Sequence, residues 1–311
     1  ALPISWAGFV FINMDRDARP LDETLGPIKA HFANYYNEDR YIHFHVQKIV
    51  PCNWKTAAEA FMESHHAITT HPQLLPYLAD VNSQYDILSD YVTRQFSAQM
   101  VPSPFNQRDY SEDEIVQALL GVGSRSAAGA GASADEMKVP DGETARTFMA
   151  EVTRQTLSGE DGYDYADSSD AEMVDALLYN VFPHMSFWAG FMPNLTYRWR
   201  PNGHDHTSSI MDIYMMKRVP KDKPRPKPSP VFEIGIDESM IELAPKSGMS
   251  AGLAAVFEQD MSNLPHVQTG MEASESGVLH FGRYSEMRIR KMHQMLDKII
   301  AEGVEKAAAK A

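Results

Sequence analysis

The hydrophobic and polar positions of this chain fall into two rhythms, one of period two and one near 3.6, and together they predict its elements in order. Residues 6–14 (WAGFVFINM) form a dense aromatic and β-branched run, the pattern of a buried strand. A short helix is predicted around 23–33, and 41–50 alternates as a strand with Tyr41, His43, His45 and Gln47 on one face. Pro51 ends that strand, and Asn53 is placed to cap a helix over Trp54–Thr69. Residues 84–100 read as strand. Residues 111–120 read as a helix opened by Ser111 with Glu112, Asp113 and Glu114 behind it. A Gly/Ala/Ser-rich stretch at about 121–140 has no period and predicts a flexible loop, a candidate cover for a site. Helices over 142–158 and 170–176 follow, and from 177 the character changes to strands separated by PNG and a polar HDHTSS. The basic, proline-rich residues 220–230 form a linker that cannot enter a sheet interior. Residues 250–263 predict a helix with Glu258 and Asp260 near its end. An amphipathic helix over 285–306 closes the chain, with Met287, Ile289, Met292, Leu296, Ile299 and Ile300 on its apolar side. There is no internal repeat.

Composition narrows the class. At 311 residues the chain is long enough for a large core, and its net charge of −14 argues against nucleic acid or an anionic membrane as partner. No apolar run approaches a membrane span, and the first residues lack the basic segment of a signal peptide, so a cytoplasmic location is the default expectation. The sequence does not start with Met, so a fragment or a processed chain is expected. A single cysteine, Cys52, excludes a disulfide framework and any cysteine-based zinc or iron–sulfur site within these residues.

Residues 53–72 (NWKTAAEAFMESHHAITTHP) concentrate the candidate chemistry. Glu59, Glu63 and His66 are spaced by four and three, which puts them on one helix face. His71 lies about 140° from His66 on a straight helix, but Pro72 biases it out of the α region, so it can swing back towards that face. Two imidazoles and one carboxylate on one side of a metal leave coordination positions open, which suits non-haem Fe(II) and differs from a closed structural zinc site. Asp260 is the candidate for the carboxylate, and Glu63 for a group hydrogen-bonded behind a ligand. The plainer alternative is a capped core helix whose histidines are merely hydrogen-bonded.

The segment Asn53-Trp54-Lys55, Glu59, Glu63, His66 and His71-Pro72 resembles the catalytic domain of Rieske-type aromatic-ring-hydroxylating oxygenase α subunits. Further pieces match in order: Trp6–Phe11, Asn180-Val181-Phe182-Pro183, Glu258-Gln259-Asp260 with Asn263, Gln268–Met271, and Glu286-Met287-Arg288-Ile289-Arg290. The resemblance implies an α+β helix-grip fold, a large antiparallel sheet around a long C-terminal helix, as a single catalytic domain over 1–311. It implies His66, His71 and Asp260 as iron ligands and Glu63 as a bridging carboxylate towards a Rieske cluster in a neighbouring subunit. Glu-x-x-His and His-x-x-x-x-His spacing both select His66 over His65, and the Asn three residues after Asp260 selects it over Glu258. Pocket candidates are Phe61, Ala67, Phe182, His184, Phe187, Val256 and Phe257; His184 stands where the family commonly has Asn, which leaves the substrate open.

The activity so implied is O₂-dependent hydroxylation or dihydroxylation of an aromatic ring, with ferredoxin and reductase as electron donors. The implied assembly is a homotrimer, alone or with a β subunit. A Rieske [2Fe-2S] cluster needs two Cys and two His, which these residues cannot supply, so the chain is expected to bind iron but not to sustain turnover by itself. Two other readings use the same residues: a helix-grip protein that encloses an apolar small molecule without redox chemistry, and a zinc hydrolase built on the same triad.

Overall fold

The structure is a computed structural model and describes residues 4–15, 17–122 and 137–309. A hairpin of β1 (Ile4–Trp6) and β2 (Phe9–Phe11) precedes helices α1 (Leu21–Leu25) and α2 (Ile28–His31). Strand β3 (Arg40–Val50) leads into α3 (Trp54–Glu59) and α4 (Ala67–Thr70). Strands β4 (Gln84–Ile87) and β5 (Val92–Ser97) are followed by α5 (Glu112–Gly121), α6 (Ala145–Asp161) and α7 (Asp170–Val174). Then come β6 (Ala176–Val181), β7 (Met185–Trp188), β8 (Leu195–Asn202), β9 (Asp205–Arg218) and β10 (Val231–Ile234). Helices α8 (Met240–Ser247), α9 (Ala251–Glu272) and α10 (Met287–Ala308) complete the described chain.

Strands β3 to β10 form one eight-stranded sheet in the order β10-β3-β9-β8-β7-β6-β5-β4, antiparallel throughout except for the β10–β3 edge pair. The proline-rich residues 220–230 stay outside it and return the chain to that edge. Residues on both faces of the sheet are packed against helices. On one face Leu195, Tyr197, Trp199, Met211 and Ile213 pack against Phe257 and Leu264 of α9 and Ile289 and Met292 of α10. On the other, Tyr179, Val181 and Phe187 pack against Ile28 of α2, Val116 of α5 and Met149 of α6. The result is an α+β fold with a large, mostly antiparallel sheet. Among the described residues no helix is long and apolar enough to cross a membrane.

Four elements differ from their sequence expectation. Residues 6–14 are not one buried strand: Ala7 and Gly8 take φ of 54° and 81° and turn the chain into the hairpin. Trp6 and Phe9 then seat edge-on against Phe187, whereas Val10 and Ile12 are exposed. The helix expected over 23–33 is divided by Gly26 and Pro27. The helix expected over 54–69 stops at Glu59 and resumes at Ala67, because its middle backbone groups bond elsewhere: Ser64 N–H donates to Tyr85 Oη at 3.2 Å, and the Met62 carbonyl accepts from Arg288 Nη1 at 3.1 Å. The helix expected over 250–263 runs on to Glu272 through Pro265, so Asp260 lies mid-helix. The loop expected at 121–140 falls mainly on residues 123–136, which lie outside the described residues.

Candidate metal centre

The interrupted helix is what shapes the site. Asn53 caps α3 by accepting from the backbone N–H groups of Lys55 and Thr56. Gln268 of α9 reaches the same residue, its Oε1 accepting from Asn53 N at 3.0 Å and Nδ2 at 3.1 Å. After the break, α4 is stapled to α9 by Asn263 Nδ2, which donates to Thr70 Oγ1 at 2.9 Å. Two contacts one to two turns apart on α9 therefore hold the histidine-bearing segment against the helix that carries Asp260.

Between these staples, His66, His71 and Asp260 each turn one ligand atom inward, all within 4.8 Å of one another. His71 Nε2 is 3.0 Å and His66 Nε2 3.7 Å from Asp260 Oδ1. The other ring nitrogens are fixed. Glu63 Oε1 lies 2.5 Å from His66 Nδ1, and Glu63 Oε2 accepts from the His66 backbone N–H at 3.0 Å. Gln259 Oε1 faces His71 Nδ1 at 2.8 Å and is itself oriented by a mutual amide pair with Gln73. Burial by itself raises the Glu63 carboxyl, but the side-chain hydrogen bond and charge of His66, with backbone hydrogen bonds from His66 and His65, outweigh it and hold it below its ordinary range. Burial lowers the His66 imidazole, yet Glu63 and Asp260 outweigh that and raise it.

The donor set fits a cation. A neutral His66 that donates its Nδ1–H to Glu63 presents a lone pair at Nε2 towards the Asp260 carboxylate. A neutral His71 has one proton for two acceptors, the amide oxygen of Gln259 and Asp260 Oδ1. A metal ion in place of protons on the Nε2 side satisfies all three groups, in the arrangement where each ligand imidazole is oriented by a partner at its far nitrogen. Two nitrogens and one carboxylate leave the remaining coordination positions open.

The triad faces a cavity walled by Phe61, Ala67, Leu78, Leu178, Val256 and Phe257, which also meets Gln95, Ser97 and Gln99. Of the sequence candidates, Phe61, Ala67, Val256 and Phe257 come together there with the triad and Glu63. Three do not. Phe182 and His184 line a separate pocket with Asn180 and Lys291. Phe187 points to the opposite sheet face, since the period of two in β7 sends it away from its neighbour Trp188. The rejected alternatives are accounted for as well. His65 is exposed beside Phe105, and Glu258 accepts from the Met240 N–H at 2.7 Å at the start of α8. Glu59 meets His293 at 2.7 Å instead of sharing a helix face with His66. Gln259 stood inside the quoted Glu258-Gln259-Asp260 stretch with no role read for it, and Gln73, two residues after His71, had no signal. Gln95, Ser97 and Gln99 had one: polar residues at every second position of an otherwise buried strand.

Comparison with known proteins agrees with this architecture. Residues 32–302 match the family described as ring hydroxylating alpha subunit (catalytic domain). The chlorobenzene dioxygenase subunit alpha of Cupriavidus sp. (strain PS12) is 35% identical over 101 residues, covering 30% of this chain and 22% of the relative. Among solved structures, the quaternary ammonium Rieske monooxygenase CntA in complex with an inhibitor superposes with a TM-score of 0.52 at 13% identity, over 95% of this chain and 60% of that one. A phenanthrene-bound mutant of naphthalene 1,2-dioxygenase gives 0.51 at 15% identity, over 95% of this chain and 63% of that one. The chain thus spans under two thirds of these relatives' lengths, and it belongs to the family of ring-hydroxylating α-subunit catalytic domains.

Proposed function

We propose that the chain is a single mononuclear non-haem iron domain that hydroxylates an aromatic ring with O₂, within a Rieske-type oxygenase. The observation that carries this reading is the convergence of His66 Nε2, His71 Nε2 and Asp260 Oδ1 at a mostly apolar cavity. Fe(II) bound there would supply open coordination positions for O₂ beside a substrate. The protein's own part is positional. Glu63 holds the proton on His66 Nδ1, Gln259 faces His71 Nδ1, and Phe61, Val256 and Phe257 supply an apolar part of the cavity wall.

Glu63 is the proposed bridge for electrons from a [2Fe-2S] cluster outside this chain. What supports it is that Glu63 and His66 border both the inner cavity and an outer groove edged by Thr69, Asn263 and His280. A carboxylate hydrogen-bonded to a ligand ring and reachable from outside is suitably placed for that role. Aromatic substrate and O₂, ferredoxin and reductase donors, a trimeric assembly and a cytoplasmic location belong to the same proposal. Iron analysis of the wild type and Asp260→Ala after anaerobic loading tests the core of it. Stoichiometric iron in the wild type and its loss in the variant are expected. Full retention in the variant sinks the ligand assignment, zinc in preference to iron favours a hydrolase, and no metal in either favours a non-redox binding protein.

A further inference from the structure

One strand adds three polar side chains to the cavity that the triad, Glu63 and several apolar side chains line. Gln95 and Ser97 lie on the inward face of β5, and Gln99 continues the alternation beyond its end, where it bridges to Leu78. An amide buried beside leucine and phenylalanine side chains costs free energy unless it is hydrogen-bonded. Gln95 meets that demand inside the protein: its Oε1 accepts from Arg288 Nη1 at 2.8 Å and its Nε2 donates to Ser97 Oγ at 3.2 Å.

Gln99 does not. It is 6% exposed, and its backbone is fully engaged. Its N–H donates to Asp175 Oδ1 at 2.9 Å and its carbonyl accepts from Arg146 Nη1 at 3.1 Å. Arg146 and Asp175 are in turn paired at 2.5 Å, so the residue is clamped in place. Its side-chain amide makes no hydrogen bond with any described residue and borders the cavity that holds the triad. An amide carried there on an anchored backbone offers one acceptor and two donors to whatever enters.

We propose that the substrate is an aromatic compound bearing a neutral substituent that both donates and accepts a hydrogen bond, such as a phenolic hydroxyl or a carboxamide, and that Gln99 is the residue that selects it. A bare hydrocarbon would leave the amide buried and unpaired, the circumstance in which a site built to hydrogen-bond discriminates most strongly. An anionic substituent is disfavoured, because the Glu63 and Asp260 carboxylates border the same cavity. The proposal rests on the cavity being the substrate site of the proposed oxygenase, but its test does not require turnover.

The test is equilibrium binding to the chain, with and without iron, of β-naphthol against its methyl isostere β-methylnaphthalene. The wild type should bind the naphthol at least about tenfold more tightly, one good hydrogen bond's worth of affinity. Gln99→Leu should erase that preference by weakening the naphthol about tenfold, while the methyl compound binds as well or better. Gln99→Met, closer in shape, serves if the leucine variant does not fold. Equal or tighter binding of the methyl compound by the wild type, an unchanged ratio in the variants, or tighter binding of β-naphthoate would overturn the proposal. Iron content is measured on the same samples. A naphthol preference without iron sinks the metal reading alone, and stoichiometric iron without the preference sinks this inference alone.

Discussion

Gln259 sits directly before Asp260 on α9, and its Oε1 lies 2.8 Å from Nδ1 of His71. One stretch of helix therefore supplies both a candidate ligand and the group that orients another. Replacing Gln259 with Leu removes that orientation and also strands Gln73, which donates to the same oxygen at 2.6 Å. Iron affinity should fall about 10–100-fold in Gln259→Leu, read by competition with a chelator of known affinity. An unchanged affinity would show that His71 needs no partner at Nδ1.

A second relationship governs acid stability away from the cavity. Asp212 of β9 is fully buried. His45 at 2.8 Å and Gln47 at 3.1 Å contact its Oδ1, and Arg198 at 2.9 Å and Arg200 at 3.2 Å its Oδ2. Burial pushes the carboxyl up, but the hydrogen bonds from His45 and Gln47, with the charge of Arg198, outweigh it and hold the group well below its ordinary 3.8. A carboxyl depressed in the folded state stabilises the fold above its unfolded value and loses that contribution as pH falls below it. Asp212→Asn should cost about 2 kcal/mol near neutrality, since it removes the buried charge that His45 and the half-exposed Arg198 and Arg200 share. Urea unfolding at a series of pH values should show the gap between variant and wild type narrowing below pH 3.8. A gap independent of pH contradicts the assignment.

Arg288 makes a comparable prediction for the C-terminal helix. Its side chain is completely buried and is shared among the carbonyls of Met62 and Leu178, Gln95 Oε1 and Thr93 Oγ1. Burial lowers its pKa to about 9, with Tyr85 and Glu63 opposing. Arg288→Met keeps most of the volume but orphans those acceptors, and should destabilise the protein by about 3 kcal/mol in urea unfolding. A loss below about 1 kcal/mol would mean that water or neighbouring groups replace the guanidinium.

Much of this was legible in the sequence. The alternation of 41–50 and the amphipathic run after 285 correspond to β3 and α10, because one period and one buried face decide each. The three metal-ligand candidates were readable from spacing and an ordered resemblance. The break between Glu59 and Ala67 was not, since nothing in Ala60–Ser64 opposes a helix; the competing hydrogen-bond partners, Tyr85 and Arg288, come from distant parts of the chain. The pocket suffered likewise. Whether Phe182, His184 or Phe187 meets the triad depends on strand order and facing, which local sequence does not state. The helix expected over 250–263 was too short, since α9 continues past Pro265, a residue that lacks an N–H to donate.

The same break has a consequence for the order in which the protein becomes competent. His71 and Asp260 are 189 residues apart, and Arg288 is 226 residues from the Met62 carbonyl it holds out of the helix. During synthesis the two imidazoles leave the ribosome early and find neither their carboxylate nor the residue that keeps their segment unwound. A metal ion held by this triad would therefore be captured late, after the docking of α9 and α10 has brought Asp260 to the two imidazoles.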